Sequence, residues 1–176
     1  MDSPGDAQDR LRRAAEKERA AYADGAEHPL GTYAATMGVY AAGVAALAAA
    51  ARLTRRPLPE PTPWDVLLCA GATHRLSRLL TKDPVTSPLR APFTRFRGTT
   101  GPAELDEEVR GHGPRKAIGE LVTCPFCAGM WTVTGIMAGM VFAPRATRLA
   151  AAGMTALAGA DLLHFARVWM QQAVGE

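Results

Sequence analysis

The stretch ELVTCPFCAGMWT contains two cysteines, Cys124 and Cys127, at the spacing of a dithiol or of half a metal site. Zinc takes four ligands, so the pair would need Cys69, His74 or His112, or the same pair from a second chain, to hold zinc or another thiolate-bound metal. For redox chemistry, a cysteine at a helix N-terminus has its thiolate favoured by the helix dipole. The strand and helix pattern of a thioredoxin-like fold is absent from this sequence, however.

A structural interpretation of the same stretch needs no chemistry. Pro125 is suited to the first position of a helix, and the small residues after it, including Cys127, would let another helix pack closely. Trp131 would then anchor the helix at a lipid headgroup layer. Structural, metal-binding and dithiol roles all stay open on the sequence alone.

Asp161 is a second residue of chemical interest, because it lies inside an apolar run. A carboxylate within a membrane-spanning helix costs about 2.5–3.5 kcal/mol, so it should face other helices and find a partner. His164 lies one helical turn away on the same face, and Arg167 one turn beyond. The pattern fits a proton or ion relay, as in a channel or carrier subunit, or a polar pair that fixes helix packing.

A third group is basic. Arg75, Arg78 and Lys82 recur at spacings of three and four, which places them on one face of a helix. Such a face could hold anionic lipid headgroups, at about 1 kcal/mol per charge, or simply anchor the cytoplasmic end of the helix.

The elements that must position these residues are long apolar helices. Residues 33–51 and 121–144 carry no charge, and between residues 148 and 167 only Asp161 and His164 ionise. Each run approaches the roughly 20 apolar residues that span about 30 Å of hydrocarbon. None has the polar face of a soluble amphipathic helix. We therefore predict an all-α integral membrane protein of the cell membrane.

The predicted organisation is a charged N-terminal arm and a membrane domain. The arm, residues 1–32, is expected to be mobile or to form a surface helix, and residues 33–172 form a small helical bundle. The predicted spans are residues 33–53, 64–81, 121–143 and 148–170, joined by a Pro-rich connector with prolines 57, 59, 61 and 63 and by a polar loop over residues 82–118.

Membrane orientation follows from Lys and Arg, which concentrate in cytoplasmic loops. Four spans place the arm, the polar loop and the C-terminus in the cytoplasm. If the second segment lies in the interface, three spans remain and the N-terminus moves outside. Both arrangements leave Cys124 and Cys127 at the cytoplasmic end of their helix.

Two motifs carry a resemblance to a known family. THRLSRLLTKDPVTSPLR, residues 73–90, followed by GELVTCPFCAGMW, residues 119–131, resembles a bacterial membrane family of unknown function that includes the YjcA-like sporulation proteins. The resemblance covers about residues 64–145 and implies a small multi-pass membrane protein without a known activity. The matching positions are Arg75, Arg78, Asp83, Arg90, Glu120, Cys124, Cys127 and Trp131.

The motifs suggest how the cytoplasmic face is assembled. Glu120 lies one turn before Cys124 and could pair with Arg75 or Arg78. The small residues Gly135 and Gly139 allow close helix packing, within the chain or in a homo-oligomer.

Three functions are therefore compared. The first is a non-enzymatic packing or interaction protein that presents a basic cytoplasmic loop to lipid or to a partner. The others are a membrane-embedded thiol protein that uses Cys124 and Cys127, and a channel or carrier subunit built around Asp161. The expected partners are the bilayer, anionic lipids and a second copy of the chain, with no nucleic acid.

Overall fold

The structure is a computed structural model that describes residues 4–23 and 30–175. The helices of this part are α1 Pro4–Ala23, α2 Leu30–Leu53, α3 Pro63–Thr81, α4 Ser87–Arg90, α5 Pro114–Thr123, α6 Pro125–Phe142 and α7 Pro144–Ala173, with a 3-10 turn at Pro84–Thr86. Its strands are β1 Thr94–Gly101 and β2 Glu104–Val109. The predicted fold class is confirmed, since the protein is mostly helical and the sheet is minor.

Within residues 4–23 and 30–175, three helices are long and apolar enough to cross a membrane: Leu30–Leu53, Pro125–Phe142 and Pro144–Ala173. They correspond to the first, third and fourth predicted spans. The second, α3, has a similar length of 19 residues but carries Asp65, Arg75 and Arg78, and is not among them. Three apolar helices are compatible with a membrane protein.

Local sequence explains where these helices begin. At α3, Thr62 and Asp65 form a capping box, in which the Thr62 hydroxyl accepts the Asp65 N–H at 3.1 Å and the Asp65 carboxylate accepts the Thr62 N–H at 3.1 Å. Pro63 is in the first turn, where its missing N–H has no intrahelical partner to lose. Of the four connector prolines, Pro63 therefore belongs to the helix.

The predicted third span is interrupted. The chain leaves the helical conformation at Cys124 (φ −102°, ψ 111°), so residues 121–123 belong to α5 and α6 begins at Pro125. A residue before proline is pushed out of the helical region by the proline ring, which explains the break. The span predicted as residues 121–143 is thus two helices that meet at the cysteine motif.

The core lies along α3, which packs between α6 and α7. Leu68 and Ala72 of α3 are buried against Ile136 and Met140 of α6 and against Ala151 of α7. The closest approach is at Gly71, where a Cβ atom would lie 2.5 Å from the Thr155 methyl group. The Thr155 hydroxyl also donates a hydrogen bond to the Leu68 carbonyl at 2.8 Å.

The contacts give the direction of each helix. Asp65, near the start of α3, pairs with Arg148, near the start of α7. Arg75, further along α3, pairs with Asp161, further along α7, so the two helices run parallel. Between α6 and α7 a tight turn reverses the chain, and Gly139 lies against Thr147. α6 therefore runs antiparallel to both. The close approach predicted for Gly135 and Gly139 holds for Gly139 alone, because Gly135 has open space around it.

α2 lies at the edge of the bundle. Its contacts are polar and aromatic: the Tyr33 hydroxyl bonds to Glu120, and Tyr40 bonds to Thr134 at 2.8 Å with its ring edge-on to Trp131. α2 runs in the same direction as α6, since Tyr33 contacts Glu120 just before α6 and the later residue Tyr40 contacts Thr134 within it. α1 is exposed over residues 5–22, and residues 1–3 and 24–29 of the predicted arm lie outside the described residues.

The predicted polar loop is a folded unit, which we call the cap (residues 82–123). It consists of the 3-10 turn, α4, the β1–β2 hairpin and α5. The hairpin pairs Thr94 with Val109 and Gly101 with Glu104. Gly119 of α5 lies so close that a Cβ atom would meet the Val109 side chain at 2.5 Å. Strand pairing of a sequence as polar as TRFRGTTG was not predicted, because it lacks the apolar alternation of a half-buried strand.

Candidate functional site

One concave surface of the described chain is lined by charged side chains of both signs, and we call it the polar groove. It is a cavity of about 520 Å³ between the C-terminal half of α3, α7 and the turn of the hairpin. Its charged and titratable lining residues are His74, Arg75, Arg78, Lys82, Asp83, Glu104, Asp161 and His164. The groove thus contains both the basic face of α3 and the Asp161 and His164 pair. From the sequence, these were predicted as two separate sites.

Acidic residues neutralise much of that basic face. Arg75 forms ion pairs with Asp161 at 3.3 Å and with Asp83 at 3.6 Å, and Arg78 pairs with Glu104 of the hairpin. The Lys82 carbonyl accepts the Leu105 N–H at 3.0 Å, which joins the hairpin to the end of α3. The basic residues thus hold the cap against the bundle.

One side-chain donor of Arg75 makes no hydrogen bond among the described residues. Its Nε atom is buried and, within the described part of the chain, has no hydrogen-bond partner, because the ion pair with Asp161 lacks the required alignment. Asp161 is half exposed, and its ion-pair partner is Arg75, on another helix. The partners predicted for Asp161 were His164 and Arg167 on its own helix.

Arg90 has a structural environment within the cap. Its side chain is 1% exposed and pairs with Glu107 of β2. The guanidinium also donates to the Leu80 carbonyl at 2.9 Å and to the Asp83 carbonyl at 3.0 Å. These are carbonyls at the end of α3 and just after it, so Arg90 joins α3, α4 and the hairpin from inside.

The cysteine motif begins α6. The Cys124 sulfur accepts the Cys127 N–H at 3.3 Å and so caps the helix, with Pro125 in its first turn. Burial opposes ionisation of Cys124, but hydrogen bonds from the Cys127 thiol and from the Cys127 and Phe126 amides outweigh it and lower the pKa of the Cys124 thiol. Cys124 and Cys127 are both free thiols.

Cys69 and His74, two of the further metal ligands considered from the sequence, lie apart from this motif. Within residues 4–23 and 30–175, no three His, Cys, Asp or Glu side chains are arranged to hold a metal ion. Cys69 is buried in the core beside Met137, well over two helical turns along α6 from Cys124. His74 lines the polar groove. A metal site at this motif would therefore need further ligands, such as the same cysteine pair of a second copy of the chain.

Glu120 has a different partner from the one predicted. It accepts a hydrogen bond from Tyr33 of α2, whereas Arg75 and Arg78 pair with Asp83, Asp161 and Glu104. The predicted pairing of Glu120 with Arg75 or Arg78 was wrong, because the hairpin and α7 supply nearer carboxylates. Tyr33 lies 87 residues from Glu120, and nothing in the local sequence of either indicates the contact.

A second ion pair lies at the opposite end of the bundle. Asp65 is 5% exposed, and Arg148 of α7 donates to it from Nε at 2.8 Å and from Nη2 at 3.3 Å. Beside this pair is a cleft of about 270 Å³ between α3 and α6, which we call the apolar cleft. Its lining residues are Pro59, Pro61, Asp65, Val66, Cys69, Ala70, Val133, Met137, Met140 and Arg148.

Fold and site together define a mostly helical protein with three candidate membrane-spanning helices and a small folded cap. The chain belongs to the family described as "Protein of unknown function (DUF1360)", whose model matches residues 67–167. A curated relative, "Sporulation protein YjcA" of Bacillus subtilis, is 31% identical over 100 residues, which are 52% of this chain and 85% of the relative. No solved structure matches the chain. The family match spans most of α3, the cap, α6 and most of α7, and it leaves out α1 and α2.

Proposed function

We propose that this chain is an integral protein of the cell membrane that acts by binding, through its cap and polar groove, and not by catalysis. The observation that carries the membrane assignment is the uncovered surface of α2. This helix has 24 residues, and only 6% of its most apolar window is buried by the rest of the protein. Large side chains such as Met37 and Val39 are 72% and 64% exposed. A bilayer supplies the apolar contact that the chain does not.

α3 is the fourth crossing helix in this proposal. Its 19 residues reach about 28 Å, and it lies along α6 and α7 over its length. Its charges have partners on α7: Asp65 pairs with Arg148 at one end and Arg75 with Asp161 at the other. Charged residues in membrane helices face the bundle and pair in this way. An interfacial helix would not be enclosed by two spanning helices.

The cap lies on the cytoplasmic side in this arrangement. The cap, α1 and the C-terminus fall on the same side and contain most of the Lys and Arg residues, in accord with the positive-inside tendency. Cys124 and Cys127 are then at the cytoplasmic end of α6. The polar groove opens at that surface, where it offers Lys82 and the two histidines to an anionic headgroup or to a partner protein.

A role in spore formation is part of the same proposal. It is supported by the printed name of the Bacillus subtilis relative, and the matched region includes the cap and the groove. The binding function would then serve a membrane process of sporulating cells.

Membrane insertion is tested by extraction and by thiol labelling. After alkaline carbonate treatment, the full-length chain should stay in the membrane pellet. In a Cys69→Ala background, Cys124 and Cys127 should react with a membrane-impermeant maleimide only after permeabilisation. A Leu58→Cys variant of the cysteine-free protein is the matched control and should be labelled in intact cells. Labelling of Cys124 in intact cells, or release of the chain by carbonate, would contradict the proposal.

A second candidate is a dithiol function at Cys124 and Cys127. The helix-capping geometry of Cys124 and its lowered thiol pKa favour it, since a stabilised thiolate is the reactive form. Its test is the redox state: the reduction potential of the pair should lie in the range of exchange-active dithiols, above about −300 mV. A pair that forms no intramolecular disulfide under any glutathione ratio would exclude this function.

A further inference from the structure

The apolar cleft lies at the end of the bundle opposite the cap, and its wall is almost entirely hydrocarbon. Val66 and Ala70 of α3 form one side, and Val133, Met137 and Met140 of α6 form the other. The cleft has a volume of about 270 Å³ and is open to the surface, since its lining residue Val66 is 57% exposed. A concave, apolar site of this kind suits an apolar ligand.

The sequence explains why the helices leave this space. On α3, Cys69 and Ala70 have small side chains, which leave space between α3 and α6. On α6, Met137 and Met140 have unbranched, flexible side chains that adapt to different occupants. Pro59 and Pro61 of the connector lie over one end of the cleft.

A cationic group stands at the rim of the cleft. Arg148 donates from Nε and Nη2 to Asp65, and its side chain remains 47% exposed. A guanidinium has five N–H donors, so it can hold a second anion while it keeps Asp65. Arg145 lies one turn earlier on the same side of α7 and is also exposed.

The whole of this end of the molecule is basic. Besides Arg145 and Arg148, the stretch from residue 52 to 56 adds three exposed arginines, Arg52, Arg55 and Arg56. The acids of the same two segments, residues 51–65 and 143–148, are Glu60 and Asp65. The proposed orientation puts this end outside, where Lys and Arg are normally sparse. Membrane orientation therefore does not account for the five arginines.

We propose that the apolar cleft binds one acyl chain of an anionic phospholipid of the outer leaflet, with the headgroup phosphate against Arg148 and Arg145. The proposal rests on the membrane placement argued above. An apolar slot beside an exposed arginine at headgroup depth complements a molecule with one hydrocarbon chain next to one negative charge. Neutral lipid would fill the slot but would have no net charge to offer the arginines.

The test measures lipid selectivity of the full-length chain in phosphatidylcholine nanodiscs with and without phosphatidylglycerol. Native mass spectrometry should show one retained phosphatidylglycerol per chain, and phosphatidylglycerol should raise the thermal unfolding midpoint, since a ligand that binds the folded state stabilises it. An Ala70→Phe variant fills the cleft and should lose both effects. Ala150→Phe, at an exposed α7 position outside the cleft lining, is the matched control and should keep both.

A second variant keeps the test decisive if Ala70→Phe fails to fold. Arg145→Gln changes an exposed side chain and should weaken phosphatidylglycerol binding about fivefold. Equal retention of phosphatidylcholine and phosphatidylglycerol, or wild-type selectivity in Arg145→Gln, would overturn the proposal. These outcomes are separate from carbonate extraction, which tests membrane residence alone.

Discussion

At the scale of single residues, Arg90 shows what the charged motif between α3 and the hairpin does. Its side chain is 1% exposed and its partner Glu107 is 6% exposed, so both charged groups are buried. A buried ion pair is tolerated when further hydrogen bonds satisfy it, and the Leu80 and Asp83 carbonyls provide them. Arg90 is therefore a structural residue of the cap.

Replacement of Arg90 by Met should strongly destabilise the protein, because it leaves the Glu107 carboxylate buried without a partner. The expected loss is about 3–5 kcal/mol in the free energy of unfolding, measured by thermal or denaturant unfolding in detergent. Arg97→Met is the control: the Arg97–Glu108 pair is more than half exposed on both sides and should contribute at most about 1 kcal/mol. Equal effects of the two substitutions would show that the buried network does not hold the cap.

The second prediction at this scale concerns the thiol of Cys124. Because a Cys127 side chain donates to it, removal of that donor should raise the pKa of the Cys124 thiol. In a Cys69→Ala background, alkylation of Cys124 by iodoacetamide should reach half its maximal rate at a lower pH in Cys127→Ser, which keeps a hydroxyl donor, than in Cys127→Ala. Identical pH profiles for the two variants would mean that the thiol pair is not hydrogen-bonded.

At the scale of elements, the parallel packing of α3 on α7 organises the bundle. Gly71 lets the two helices approach, the Thr155 hydroxyl bonds to the Leu68 carbonyl across the contact, and an ion pair lies near each end of it. Since the contact between α3 and α7 combines close packing with polar contacts, it resembles the small-residue interfaces of membrane helices.

Substitution of Gly71 by Ala should therefore push α3 away from α7. The new Cβ atom would lie 2.5 Å from the Thr155 methyl group, and overpacking of this kind costs about 1–3 kcal/mol. The check is a lower unfolding midpoint in detergent. Gly159→Ala, with open space at its Cβ position on α7, should leave the midpoint unchanged or raise it. Equal unfolding midpoints for Gly71→Ala and Gly159→Ala would show that the close contact between α3 and α7 does not depend on Gly71.

The sequence predicted the elements that are defined locally. Apolar runs of membrane length predicted α2, α6 and α7, although the predicted third span began at residue 121 and α6 begins at Pro125. The hairpin was missed because its strands are polar and are held by distant partners, as in the pair of Arg78 with Glu104. Asp65 with Arg148 and Tyr33 with Glu120 are separated by 83 and 87 residues, so no local pattern shows them. The polar groove follows from those long-range contacts and was therefore predicted only in parts.

At the scale of the whole molecule, the chain has a family core and a peripheral N-terminal part. The family match begins within α3, and α2, which precedes it, contacts α5 and α6 through Tyr33 and Tyr40. α1 is exposed over residues 5–22. The core therefore contains the groove, the cysteine motif and the apolar cleft without help from α1.

Deletion of residues 1–23 should leave the core folded. The expected result is an unchanged unfolding midpoint and unchanged maleimide protection of Cys124 in intact cells, because the exposed helix buries little apolar surface. Replacement of residues 94–109 by a Gly-Ser linker is the contrasting deletion. It removes Glu104 and Glu107, the partners of Arg78 and Arg90, and should lower the midpoint clearly. A large loss on removal of α1 would show that the N-terminal part belongs to the core.

The ion pair between Asp65 and Arg148 has a consequence for the timing of assembly. When α3 leaves the ribosome, the partner that neutralises its buried carboxylate is 83 residues away in a part of the chain not yet made. At about 5–20 residues per second, α7 follows some 4–17 s later. In the proposed membrane arrangement, the Asp65 carboxylate has no partner during that interval, so stable insertion of α3 is expected only once Arg148 has been made. We therefore expect the last helix to complete insertion.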